Sequence, residues 1–162
     1  MKILGFDPGT KKLGYGFIHY FKNNFQVVEA GCFEPRYSNE EKILKEIFQK
    51  TKILIKKYKP DLIAIEKIFF FHNQKTAFQI SQVRGILLLA AAQYNIAIFQ
   101  PTPLEIKTCL TSYGRADKKE VGLMVKKILK LKQIPEPDDV SDALACALTA
   151  FYLFGKKIKI KK

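Results

Sequence analysis

Short apolar blocks open the chain, and longer stretches with helical spacing follow. Lys2 to Asp7 is a compact apolar run, Gly14 to Phe21 a second and Phe25 to Glu34 a third, separated by Asp7-Pro8-Gly9-Thr10 and Lys22-Asn23-Asn24. Blocks of that length bounded by Pro, Gly and Asn predict three strands joined by short turns, an antiparallel meander. From Asn39 to Tyr58 the apolar positions Ile43, Leu44, Ile47, Phe48, Leu54 and Ile55 recur at helical spacing, and Lys59-Pro60 ends the segment. Leu62 to Glu66 is apolar up to its last residue, as expected of a central strand. Thr76 to Tyr94 predicts a second helix and Ile96 to Gln100 a fifth strand. Leu104 to Leu110, Lys118 to Leu131 and Asp139 to Phe154 predict three more helices. A meander followed by alternating helices and strands implies one α/β domain over residues 1–154: a mixed five-stranded sheet, antiparallel then parallel, with helices on its faces.

Two carboxylates interrupt this pattern where a packing argument does not place them. Asp7 closes the first apolar strand and Glu66 the fourth. Asp before Pro-Gly is an ordinary turn former, but Glu is neither a favoured turn residue nor a strand former. If the two strands are parallel neighbours, both acids emerge at the edge where open α/β sheets hold their ligands. Near the far end, Pro135-Glu136-Pro137-Asp138-Asp139-Val140-Ser141-Asp142 begins the last helix. Asp138 suits an N-cap, and acids in a first turn complement the helix dipole. Asp142 lies a turn further on beside the stripe Ala143, Leu144, Ala147 and Leu148, three residues from Asp139 and so on the same helix face.

Charge sharpens the question. The 162 residues include 28 Lys and Arg against 15 Asp and Glu, a formal charge of +13. The tail 155–162 carries five lysines, expected to be mobile, and without it 23 basic residues still face 15 acids. A basic body suits a polyanion, because each neutralised phosphate releases condensed counterions. Four acids gathered inside such a body would repel one another unless cations held them. An all-oxygen set without His or Cys selects Mg²⁺ or Mn²⁺ over zinc, and two such ions about 4 Å apart can drive in-line displacement at a phosphodiester.

Composition excludes other classes. Cys32, Cys109 and Cys146 show no metal-binding spacing and are expected to be reduced thiols, as in an intracellular compartment. The start meets Asp7 too early for a signal-peptide core, and the longest apolar stretch, Ala143 to Phe154, falls short of the roughly 18 residues a membrane span needs. A cytoplasmic protein is expected. The helix from Thr76 to Tyr94 holds Phe78, Val83, Leu87 and the run Ile86 to Ala92, apolar around its circumference. Such a helix needs cover on more than one side, from its own sheet and from other helices or a second copy.

Taken in order, the motifs resemble the RuvC family of Holliday junction resolvases along nearly the whole chain. They are Gly5-Phe6-Asp7-Pro8-Gly9 with Gly14-Tyr15-Gly16, Ile65-Glu66-Lys67-Ile68-Phe69 with His72-Asn73, Arg84-Gly85, Pro101-Thr102-Pro103 with Lys107, Tyr113-Gly114-Arg115-Ala116-Asp117-Lys118, and Asp139-Val140-Ser141-Asp142-Ala143. The resemblance implies an RNase H-like fold and a homodimer that cuts two symmetry-related strands of four-way junction DNA with Mg²⁺. It implies that Asp7, Glu66, Asp139 and Asp142 are the catalytic metal ligands; some members carry His at the third of these positions, this chain Asp. It assigns Lys107, Arg115, Lys118 and Lys119 to DNA binding, and Phe69 to an aromatic that enters the junction. Phe78, Val83, Arg84 and Leu87 are expected at the dimer interface, and the RuvA and RuvB branch-migration complex is implied as partner. A nuclease for structured precursor RNA, a sugar-kinase-like ATPase built on Asp7-Pro8-Gly9-Thr10, and a non-catalytic nucleic-acid binder are the alternatives. The last explains the lysines and leaves the acids unexplained.

Overall fold

A computed structural model describes residues 1–67 and 74–155. Its elements follow the predicted order: β1 (Lys2–Asp7), β2 (Leu13–Phe21), β3 (Asn24–Phe33), α1 (Glu40–Tyr58), β4 (Leu62–Ile65), α2 (Gln74–Gln93), β5 (Ala97–Phe99), α3 (Pro103–Thr111), α4 (Lys118–Ile128) and α5 (Asp138–Ala150), with a π-helical turn over Phe151–Gly155. The five strands form one sheet in the order β3-β2-β1-β4-β5. β1 pairs antiparallel with β2 and parallel with β4, and β4 pairs parallel with β5. This is the mixed sheet that the sequence predicts, in an RNase H-like arrangement.

Alternation along the strands divides the core in two. Leu4, Phe6, Leu13, Ile63 and Ile65 pack with Ile47, Leu54 and Leu87 on the face covered by α1 and α2. Ile3, Ile18, Leu62 and Ala64 pack with Val121, Leu144 and Leu148 on the face covered by α3, α4 and α5. Helix α5 lies unusually close to the sheet because the residues beneath it have no side chain. A Cβ on Gly5 would stand 2.1 Å from the carbonyl oxygen of Ala143, and one on Gly14 would stand 2.1 Å from that of Asp139. Val140, Ser141 and every residue from Ala143 to Ala150 are buried as a result.

Several boundaries differ from the expected ones. α4 ends at Ile128 instead of reaching Leu131, with Leu129 as its C-cap and Lys130 in the left-handed region at φ 54°. α5 starts at Asp138 with Pro137 as N-cap, so Asp138 is the first helical residue and caps nothing. The apolar helix also needs correction. Val83 and Leu87 are fully buried against their own sheet and belong to the core. Arg84 is half-buried and donates a hydrogen bond from Nη2 to Gln100 Oε1 at the end of β5. Of the four expected interface residues only Phe78 stands out into solvent, 66% exposed, with Leu89 at 51% two to three turns on.

α1 ends on Lys59, in the left-handed region at φ 48° and donating its backbone N–H to Ile55 O. A side chain with a Cβ is strained there, whereas glycine is not, so Lys59→Gly should stabilise the fold by about 0.5–1 kcal/mol. Thermal denaturation checks this by a higher Tm.

Candidate active site

The register of the sheet puts two acids side by side. Phe6 faces Ile65 across the parallel β1–β4 pair, so Asp7 and Glu66, the next residue on each chain, leave the same edge on neighbouring strands about 4.8 Å apart. Lys67 donates its backbone N–H to Pro101 O at 2.8 Å, which ties the segment carrying Glu66 to the one that begins α3. On the other side of β1, Asp7 pairs with Gly14, and Gly14 lies under the backbone of Asp139. The close approach of α5 therefore brings Asp142 to the edge that holds Asp7.

Asp7, Glu66 and Asp142 line one cleft of about 290 Å³, with Pro103, Ile106, Lys107, Lys118, Val121 and Ala145. Two helix starts aim the lysines. Thr102 caps α3 by accepting from Glu105 N at 3.1 Å, and Glu105 accepts from Thr102 N at 2.7 Å. Asp117 and Glu120 close the same reciprocal box at α4, with distances of 2.8 and 2.7 Å. Lys107 sits on α3 and Lys118 is the first residue of α4, so the two capped helices hold both ammonium groups over the acids. The signal for these boxes, Thr-x-x-Glu and Asp-x-x-Glu, stands in the sequence at 102–105 and 117–120, and our sequence reading did not use it.

The electrostatics are those of acids held against their preference. Burial, then the negative charges of Asp142, Glu66 and Asp139, push the Asp7 carboxyl up to about 7, with Lys118 pulling the other way. Glu66 is pushed up to about 7 by burial and Asp142, against Lys118 and Lys107. Lys118 places Nζ 2.9 Å from Asp142 Oδ2, and that hydrogen bond holds its own pKa above the usual lysine value. Folding thus concentrates carboxylates where they cost stability, and a cation is the natural remedy.

The structure brings Asp7, Glu66 and Asp142 together as expected. Asp139 is not among the cleft's lining residues; it is half-buried and close enough for its charge to act on Asp7 and Cys32. Among the described residues no group of three or more His, Cys, Asp or Glu is drawn in tightly enough to chelate an ion, and the ammonium of Lys118 occupies Asp142. The donor set nevertheless fits a hard divalent ion: oxygen ligands on a rigid edge, already desolvated and short of positive charge. Lys119 is exposed and lines a shallow pocket next to the cleft with Lys118, Asp138 and Asp142. Arg115 is exposed in the connection before α4, outside the cleft lining. Phe69 lies outside the described residues, as do residues 156–162 of the expected tail. All three cysteines are free, and no described helix is long and apolar enough to cross a membrane.

A mixed sheet of this order, with carboxylates at its parallel edge and lysines above them, defines a nuclease of RNase H-like architecture. A family model described as "Crossover junction endodeoxyribonuclease RuvC" matches residues 3–150. The protein of that name from Fusobacterium nucleatum is 43% identical over 160 residues, covering 98% of this chain and 84% of the relative. That from Pelotomaculum thermopropionicum is 42% identical, covering 99% of this chain and all of the relative. Among solved structures, Thermus thermophilus RuvC is similar with a TM-score of 0.84 and 29% identity over 94% of this chain and 95% of the other. T. thermophilus RuvC in complex with a Holliday junction substrate gives 0.85 at 28% identity, covering 94% of each chain. The chain belongs to the RuvC family of crossover junction endodeoxyribonucleases.

Proposed function

We propose that this protein resolves four-way DNA junctions by paired, symmetric nicks, working in the cytoplasm as a homodimer that uses Mg²⁺ or Mn²⁺, two ions per site. The observation that carries the reading is the convergence of Asp7, Glu66 and Asp142 in one lysine-rimmed cleft. It is supported by the family membership and by a relative whose structure holds a Holliday junction.

Asp7, Glu66 and Asp142 would hold the metal, with Asp139 completing the set from the rim. Bound there, a divalent ion supplies Lewis-acid stabilisation of the phosphate and activation of water. The chain supplies the rest. Lys107 faces the incoming phosphate from α3, and Lys118, released from Asp142, neutralises the strand from α4. Lys119 and Arg115 extend that positive surface, and Phe69 would enter the junction, where stacking on an unpaired base contributes about 1–3 kcal/mol. The apolar walls Pro103, Ile106, Val121 and Ala145 keep bulk water from diluting these charges.

Pairing through α2 suits a two-fold substrate, because symmetry presents two clefts to two equivalent strands. Support comes from the exposed Phe78 and Leu89, and from Gly85 between them, whose Cβ position has nothing within 4 Å. Membership of the family extends the proposal to the RuvA and RuvB complex as the source of junctions.

Purified protein incubated with Mg²⁺ and a synthetic four-way junction, a linear duplex of the same sequence and a structured RNA tests this. Paired nicks in the junction alone are expected. Preferential cutting of the RNA would overturn the assignment.

A further inference from the structure

A second and larger cavity, about 540 Å³, opens on the α1–α2 side of the sheet. Thr10, on the β1–β2 connection, forms one wall, Tyr37 and Ser38 before α1 another, and Gln79 and Gln82 on α2 a third. Thr10 follows Asp7 by three residues, so the mouth lies within about 10 Å of the catalytic edge along the chain. Its far wall is the helix through which the two copies are proposed to pair. A strand held for cutting at Asp7 and running toward the two-fold axis must therefore pass this opening.

The lining tells what fits. Lys11 is its one lysine, facing Glu34 and Glu40. Glu34 is paired with Lys12 at 3.3 Å, and Glu40 accepts a hydrogen bond from Gln82 Nε2. There is no surplus of positive charge to hold a phosphate. What remains is a set of amides and hydroxyls with Tyr37 and Leu44 beside them, which is the chemistry of a nucleobase: donors and acceptors on the edge, flat apolar faces. A junction offers such bases, because pairing is weakest where the strands exchange.

We propose that this cavity takes up the base flanking the scissile phosphate and reads its edge, so that it sets the sequence preference of cleavage. The inference rests on the junction-resolving function proposed above. Gln79 is the principal reader, since its amide is not engaged by Glu40 as that of Gln82 is, and Thr10 is the second.

The test uses full-length protein and a set of junctions carrying each of the four bases on either side of the cut. Wild-type protein should discriminate about tenfold or more between best and worst base at one flanking position, and Gln79→Ala or Thr10→Val should compress that ratio to about twofold. A variant that merely folds poorly would slow all junctions alike and leave the ratio intact. In parallel, 2-aminopurine placed at the flanking position should brighten when wild-type protein binds the junction in Ca²⁺, and the gain should shrink in both variants. An unaltered ratio together with an unaltered fluorescence gain, or a wild-type protein indifferent to the flanking base, would overturn the proposal. Failure of wild-type protein to cut any junction would instead remove the function on which it rests.

Discussion

Asp7→Asn should abolish junction cleavage, lowering the rate at least about 10³-fold, while making the metal-free protein more stable. The two effects have one cause. In the folded chain the Asp7 carboxyl is pushed from 3.8 up to about 7 by burial and by its acidic neighbours. A carboxyl whose folded pKa is raised binds its proton more tightly in the native state, so this group favours folding as pH falls. Its penalty is absent below about pH 4, grows as pH rises toward 7 and is complete above that. Asparagine has no charge to bury, so the variant should gain about 2 kcal/mol relative to wild type at pH 8, and nothing near pH 4. Mg²⁺ should then raise the Tm of wild-type protein and leave that of the variant nearly unmoved. Denaturation at the two pH values, with and without Mg²⁺, reads all of this. A variant less stable than wild type at pH 8 without metal would contradict the electrostatic account.

Gly14→Ala should be the most damaging of the small substitutions. Gly14 pairs with Asp7 in the sheet and lies beneath the start of α5, where an added Cβ would sit 2.1 Å from the backbone oxygen of Asp139. Backbone cannot step aside as a side chain tip can, so the helix must lift, at a cost of about 3 kcal/mol. Lifting α5 also withdraws Asp139 and Asp142 from Asp7 and Glu66. Cleavage should fall at least about 100-fold at low Mg²⁺ and recover in part as Mg²⁺ is raised, because weakened ligation is offset by concentration. Thermal melts and a Mg²⁺ titration of cleavage check both halves. Wild-type Mg²⁺ dependence in a destabilised variant would separate the packing of α5 from the metal site.

The residues that carry chemistry were more legible in the sequence than the residues that carry contacts. Glu66 was visible because it breaks an apolar strand at a place where neither turn chemistry nor strand propensity accounts for it. Asp7 and Asp142 were legible once strand and helix were placed around them. Helix α2 shows the opposite case: its residues are apolar all round, and no period distinguishes the side that meets the sheet from the side that meets solvent. Val83 and Leu87 therefore read as surface and are core, whereas Phe78 is exposed. The close seating of α5 had a signal in Gly5, Gly14 and Gly16, but a glycine in a strand marks a near neighbour without naming it. The cavity between Thr10 and Gln79 joins three connections distant in sequence and exists only in the folded chain.

Crystals of the protein soaked in Mn²⁺, with anomalous scattering recorded at the manganese edge, test the cation-holding role of the carboxylate cleft. A peak within about 2.2 Å of carboxylate oxygens of Asp7 and Glu66 or Asp142, with the Lys118 ammonium displaced from Asp142, is the expected result. A cleft without manganese, in which Lys118 keeps its hold on Asp142, would contradict the account.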